Sequence, residues 1–298
     1  MKHNLKVTFI LLAMFLVTQF IGLYVVNHYQ QTVSLPYGMQ PPSIEEEKDY
    51  FSFFPTIVIA FIIAISLFFL LTKFKFETVI KIWFFIVVVI ALGITLTAIF
   101  PSFKYSSLIA LAIALPLAVI KVFKRNFLTH NLTELFIYPG IAAVFVPIFN
   151  IYTIILLLIL ISIYDVWAVW HSGIMQKMAK YHIDKLNIFP GFFVPYASKK
   201  IKEKIKFMKK TLSEKELKNK KIKINIALLG GGDIIFPIIT AGVFMRTFGF
   251  AQSLFVIAGA ALGLSYLFFF AEKKKFYPAM PFITTGIFLG MLISWIIF

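Results

Sequence analysis

The sequence predicts an all-α, polytopic membrane protein with nine transmembrane helices. The chain of 298 residues is 60% hydrophobic and only 14% charged, and its mean hydropathy is +0.90. Soluble domains carry about 25% charged residues. Long apolar runs, many of them near the roughly 20 residues that cross a bilayer, recur along the chain between short polar turns. These observations indicate one membrane domain rather than two soluble ones.

The apolar runs divide the chain into nine spans. The first follows Lys2 and Lys6 and is too long for the apolar core of a signal peptide, so we expect a retained helix. We place the spans at about residues 5–26, 50–72, 82–100, 108–120, 135–149, 151–170, 224–245, 250–271 and 276–298. They group into a six-helix part (1–170), a basic cytoplasmic loop (171–223) and a three-helix part (224–298).

The basic residues predict the orientation. With nine spans, 26 of the 29 Lys and Arg residues fall at the N-terminus and in the four loops that share its side. Positive charge collects on the cytoplasmic side, so we expect a cytoplasmic N-terminus and an external C-terminus. The formal net charge of +16 is then largely a topology signal in the cell membrane.

The long basic loop allows two interpretations. Ile201, Ile205, Met208 and Leu212 recur at helical spacing between lysines, which is typical of an amphipathic helix on anionic lipid. A solvated basic loop fits equally well. A nucleic-acid surface is not expected, because Phe207 is the sole aromatic residue in the basic stretch.

The composition also limits the chemistry. The chain contains no cysteine, which excludes disulfides, thiolate metal sites and a cysteine nucleophile. His171 and His182 lie at or beyond the membrane interface and make no plausible metal site. We therefore expect neither a metal nor a cofactor.

Two aspartates stand out because they lie within apolar runs. Asp165 is near the end of the sixth span, and Asp233 follows three glycines in the seventh. A carboxylate inside a span costs about 2.5 kcal/mol or more, and each helical glycine costs about 1 kcal/mol relative to alanine. The other acidic residues, Glu134 among them, are assigned to loops or span ends, and we expect no Lys or Arg inside a span. Antiparallel packing would bring the two aspartates face to face, roughly 8 to 14 Å from the cytoplasmic surface.

Such a pair suits general acid–base chemistry. Two adjacent carboxyls do not both ionise, so they share a proton. The ionised member can take a proton from water while the other protonates the carbonyl oxygen under attack, as in aspartic proteases. The glycines Gly230, Gly231 and Gly232 would let a substrate backbone approach, although close helix packing is an equally good explanation of them. Tyr164 would either bond to a carboxyl or simply pack.

Three short motifs then resemble those of a known family. Tyr164-Asp165, Leu229-Gly230-Gly231-Gly232-Asp233 and Pro278-Ala279-Met280 look like the YD, GxGD and PAL motifs of the presenilin and signal peptide peptidase family of intramembrane aspartyl proteases. Their order matches, as do the nine spans and the long loop between spans six and seven. Met280 stands where the family pattern has leucine, which is a small apolar change.

The resemblance implies an endopeptidase that cleaves transmembrane-helix polypeptides. Asp165 and Asp233 would be catalytic. Further residues would bind substrate or shape the site: Tyr164, Leu229, Gly230, Gly231, Gly232, Pro278, Ala279 and Met280. The predicted orientation is that of presenilins, whose substrates have an external N-terminus. The self-contained catalytic set predicts a chain that acts without accessory subunits, alone or as a homo-oligomer.

Three other functions compete. A proton- or cation-coupled transporter could use the buried aspartates as a relay. It explains neither the residues around them nor the proline motif, and we find no clear internal repeat. A prepilin-type peptidase also carries GxGD but differs in span number and cleaves at the membrane edge. A pure scaffold leaves the aspartates unexplained.

Overall fold

The computed structural model confirms the helical membrane architecture. It describes residues 5–32, 34–40, 44, 46–101, 105–124, 126–173, 189–196, 225–272 and 277–298. Within these residues, nine helices are long and apolar enough to cross a membrane. Their α-helical parts are α1 (Leu5–Thr32), α2 (Glu47–Lys73), α3 (Glu77–Ile99), α4 (Ser106–Phe123), α5 (Phe127–Phe145), α6 (Ile151–Val166), α7 (Gly231–Phe248), α8 (Phe250–Phe270) and α9 (Met280–Ile297). The fifth and sixth spans continue through short turns to Ile148 and His171.

A short β-hairpin precedes α7, and it corrects the predicted start of the seventh span. Strand β1 (Gly191–Tyr196) pairs antiparallel with β2 (Asn225–Gly230). The prediction placed a helix from residue 224, but the apolar run before Gly231 forms β2. A short apolar run fits a strand as well as a helix, and only its partner in sequence-distant β1 decides between them. The predicted amphipathic stretch from Ile201 to Leu212 lies outside the described residues.

The main core lies where α1, α5, α7 and the hairpin meet. Phe192 of β1 and Leu229 of β2 are almost fully buried there, among apolar side chains of these helices. Helices α8 and α9 pack so closely that a Cβ atom on Gly259 or Gly286 would collide with the backbone of the facing helix. Small residues allow such close approach in membranes. The outermost helix is α2, which leaves most of its surface for lipid.

A buried ion pair joins α4 to α5 and corrects a second expectation. Because α5 begins at Phe127 rather than near residue 135, Glu134 lies inside the helix and is 1% exposed. Lys121, in the last turn of α4, is 6% exposed and places its Nζ 2.5 Å from Glu134 Oε1. A cation therefore does lie inside a helix. The pairing could not be read from hydropathy, because it depends on how α4 and α5 pack.

This ion pair gives a stability prediction. Lys121→Met should destabilise the protein by about 3–5 kcal/mol, because it leaves the Glu134 carboxylate buried without its cation. Adding Glu134→Leu removes both charges and should recover much of that loss. Thermal unfolding in detergent measures both effects, and Lys124→Met, at an exposed position in the same turn, is the control. A double variant no more stable than Lys121→Met would contradict the account.

Candidate active site

Asp165 is held at the junction of α6 and α9. Its side chain is buried at 5% exposure, and its Oδ2 accepts the backbone N–H of Met280 at 3.0 Å. Met280 is the first residue of α9, where backbone N–H groups have no partner within the helix and favour negative charge. One turn earlier on α6, Ser162 donates from Oγ to Thr284 Oγ1 at 2.9 Å. The third sequence motif is therefore in contact with the first.

Tyr164, the residue before Asp165, faces outward. Tyr164 is 41% exposed, and its ring lies 6.4 Å from that of Trp167, centroid to centroid. Of the two roles considered for Tyr164, packing matches this position. Directly after α6 the chain forms a π-helical turn, Trp167–His171. Such turns often occur at functional sites.

Asp233 lies in the first turn of α7, as its third residue, and is partly buried. This corrects the expectation that it lies nine residues into a span. The N-terminal turn favours a carboxylate through the helix dipole, so the cost of placing it there is smaller than in mid-helix. Gln19 of α1 donates from Nε2 to the carbonyl of Ile234 at 3.0 Å, which fixes this turn against α1.

The three glycines before Asp233 have different surroundings. A Cβ atom on Gly230 would lie 3.2 Å from Asp233 Oδ2, so this glycine leaves room for the carboxylate. A Cβ on Gly231 would lie 2.7 Å from the hydroxyl of Tyr138, which indicates close packing against α5. Gly232 is exposed, and only the Phe236 ring is near it. Packing thus explains Gly231, room for the carboxylate explains Gly230, and the position of Gly232 would admit a small side chain.

The remaining predicted site residues belong to the core. Leu229 and Met280 are 2% and 3% exposed and join the main apolar cluster. Pro278 is buried and Ala279 is half-buried, just before α9. Helices α6 and α7 pack against each other, so the elements that carry the two aspartates are neighbours. Within the described part of the chain no group of three His, Asp or Glu side chains could hold a metal, and the expectation of no cofactor stays a prediction.

Sequence reasoning missed several polar residues behind the site. Gln19 bonds to α7, and His130 and Asn131 of α5 bond to the backbone of β1. One signal was present in the sequence, because His130, Glu134 and Tyr138 recur every fourth residue and share one face of a helix.

Comparison with known proteins decides the family. The sequence profile of the family described as signal-peptide peptidase, presenilin aspartyl protease matches residues 7–298. The chain belongs to this family. No curated protein sequence matches it. The protein is therefore an intramembrane aspartyl protease, and neither the family nor the fold supports a transporter.

Solved structures share the fold. A presenilin family intramembrane aspartate protease in space group C222 is 17% identical, with a TM-score of 0.62 over 98% of this chain and 99% of that chain. The structure of such a protease in space group P2 is also 17% identical, with a TM-score of 0.63 and 97% coverage of both chains.

The glycine geometry gives a graded prediction for the protease. Gly230→Ala should lower activity by pressing on the Asp233 carboxylate. Gly231→Ala should lower it through the clash with Tyr138, and adding Tyr138→Phe, which removes the hydroxyl, should restore part of it. Gly232→Ala would meet only ordinary van der Waals contact with the Phe236 ring and should leave stability unchanged. Cleavage rates and unfolding temperatures are the measurements, and a failure of Tyr138→Phe to relieve Gly231→Ala would refute the packing argument.

Proposed function

We propose that Asp165 and Asp233 are the catalytic pair of this protease. The observation that carries the proposal is that the two carboxylates stand at the end of α6 and the start of α7, helices that pack against each other. Both are held by precise contacts, Asp165 through the Met280 N–H and the Asp233 turn through Gln19. Those contacts restrict how far either aspartate can move.

The chemistry follows from two carboxyls at one site. One proton is shared between them, so an acid and a base are present at the same pH. The ionised carboxylate takes a proton from a water molecule, which attacks the peptide carbonyl. The protonated carboxyl donates to the oxygen that develops negative charge. No covalent intermediate with the enzyme is needed.

The substrate is proposed to be a transmembrane helix that unwinds near the scissile bond, because helical carbonyls are otherwise hydrogen-bonded within the helix. The hairpin supports this idea. Among the described residues, β2 has a strand partner on one edge only, β1. An extended peptide could pair along its other edge and would then run beside Gly230 and Asp233. Gly232, which is exposed, leaves space for such a backbone.

The orientation of the protein in the membrane and its contact with anionic lipid are proposals that rest on the distribution of Lys and Arg residues. The N-terminus is proposed to be cytoplasmic and the C-terminus external, in a cell membrane. The basic segment between the two strands would then lie at the cytoplasmic surface, where anionic lipid attracts it. We propose that the protein acts without accessory subunits, as a monomer or homo-oligomer.

The catalytic assignment predicts the effect of neutral substitutions. Asp165→Asn and Asp233→Asn should each lower the rate of cleavage of a single-span peptide by about 10²–10⁴-fold or more, since each removes an acid–base group. Glu47→Gln, at an exposed position in the first turn of α2, should leave the rate unchanged. Purified protein in detergent and mass spectrometry of the products provide the assay. Full activity in either Asn variant would exclude that residue from catalysis.

The orientation can be tested because the chain lacks cysteine. Ser34→Cys and Thr78→Cys introduce thiols at exposed positions in the segments that flank α2 on opposite sides. In intact cells a membrane-impermeant maleimide should label the first, and the second only after permeabilisation. The reverse pattern would show that the N-terminus is external.

A further inference from the structure

Two neighbouring residues of α5 form hydrogen bonds with the backbone of β1. His130 Nε2 lies 2.8 Å from the carbonyl oxygen of Gly191. Asn131 makes two bonds to Phe193: its Nδ2 donates to the carbonyl at 2.9 Å, and its Oδ1 accepts the N–H at 3.1 Å. Gly191 and Phe193 are two residues apart, so their backbone groups point to the same edge of the strand. The clamp, meaning His130 and Asn131, thus takes the edge of β1 that faces away from β2.

The buried ion pair fixes the histidine of the clamp. A carbonyl oxygen can only accept, so His130 Nε2 must carry the proton that bonds Gly191. In neutral histidine Nδ1 is then an acceptor, and Lys121 Nζ lies 3.4 Å from it. Glu134 Oε1, 2.5 Å from Lys121 Nζ, lies 3.5 Å from His130 Nε2. Lys121 and Glu134 thereby hold the imidazole in the orientation and tautomer that β1 requires.

The hairpin connects the clamp to Asp233. Gly191 stands opposite Gly230 in the register of the two strands, and the Gly231 N–H donates to the carbonyl of Pro190 at 3.1 Å. On the same face of α5, Tyr138 lies against Gly231. A displacement of β1 from α5 would therefore displace the turn Gly230–Asp233.

We propose that His130 and Asn131 are positioning residues of this protease. They hold β1 against α5 and thereby keep the Asp233 carboxylate in the position that catalysis requires. The proposal rests on the proposed function, in which Asp233 is catalytic. Neither residue needs to touch the substrate. Displacement of a catalytic group by about 1 Å can cost 10²-fold in rate. Loss of the clamp should therefore lower kcat by a much larger factor than it raises KM.

A matched pair of variants separates the bond from the packing. His130→Phe keeps a ring beside Phe193, whose own ring centroid lies 4.6 Å from that of His130, but removes the N–H that bonds Gly191. His130→Gln keeps an N–H donor at nearly the same distance along the side chain. We expect His130→Phe to lower kcat about 10–100-fold with KM within about twofold, and His130→Gln to retain most of kcat. Asn131→Ala, which removes the bonds to Phe193, is a second variant with the same expected signature.

A distance measurement supplies a readout that does not depend on cleavage. Leu128→Cys on α5 and Ile226→Cys on β2 place spin labels at positions that are 73% and 42% exposed, in a chain that otherwise lacks cysteine. The distance distribution between the labels should be narrow, should broaden in His130→Phe and Asn131→Ala, and should become narrow again in His130→Gln. Leu132→Ala, 52% exposed on the same turn of α5, should change neither the distribution nor kcat.

The outcomes separate this proposal from the one it rests on. A fall in kcat together with a broadened distribution, both reversed in His130→Gln, supports the clamp. A broadened distribution with normal kcat overturns it, as does a fall in kcat with an unchanged distribution or a rise in KM alone. If Asp233→Asn remains active, the proposed function fails instead, whatever the spin labels show.

Discussion

Backbone that leaves the helical conformation inside a helix bundle must find its hydrogen bonds within the protein. Lipid offers none, and each unsatisfied group costs several kcal/mol. Here the chain departs from helix just before Asp233, in a hairpin buried against α1, α5 and α7. The two strands satisfy each other on one side, and the side chains of His130 and Asn131 satisfy β1 on the other. The buried polar residues of α4 and α5 follow from that requirement.

The two aspartates are consequently held by different parts of the fold. Asp165 depends on α9, whose first N–H it accepts, and α9 is held in turn by close glycine packing against α8. Asp233 depends on the hairpin, α5 and Gln19 of α1. The interface between α6 and α7 is where these two groups of elements meet. The separation between the carboxyls is therefore set by how α6 and α7 pack, more than by either local cluster.

The sequence predicts most of the fold and the identity of the central residues, for definite reasons. A span of apolar residues requires helix in lipid, so the nine membrane-length helices of the described residues could be read from hydropathy. Asp165 and Asp233 could be singled out because a carboxylate is costly within an apolar run, and Met280 because its stretch resembles a family motif. The hairpin could not be foreseen. The run before Gly231 is short and apolar, and its partner β1 lies across a long hydrophilic segment.

Glu134 shows the same limit at the level of one side chain. Its sequence context, beside basic residues and a polar turn, is that of a solvated loop, and only the tertiary contact with Lys121 allows it to be buried. That contact also orients His130, which bonds β1, the partner of the strand that leads to Asp233. A buried ion pair seldom adds net stability compared with apolar residues of similar size. Its presence here is better explained by orientation: a charge pair fixes the direction of a neighbouring imidazole, and apolar side chains cannot.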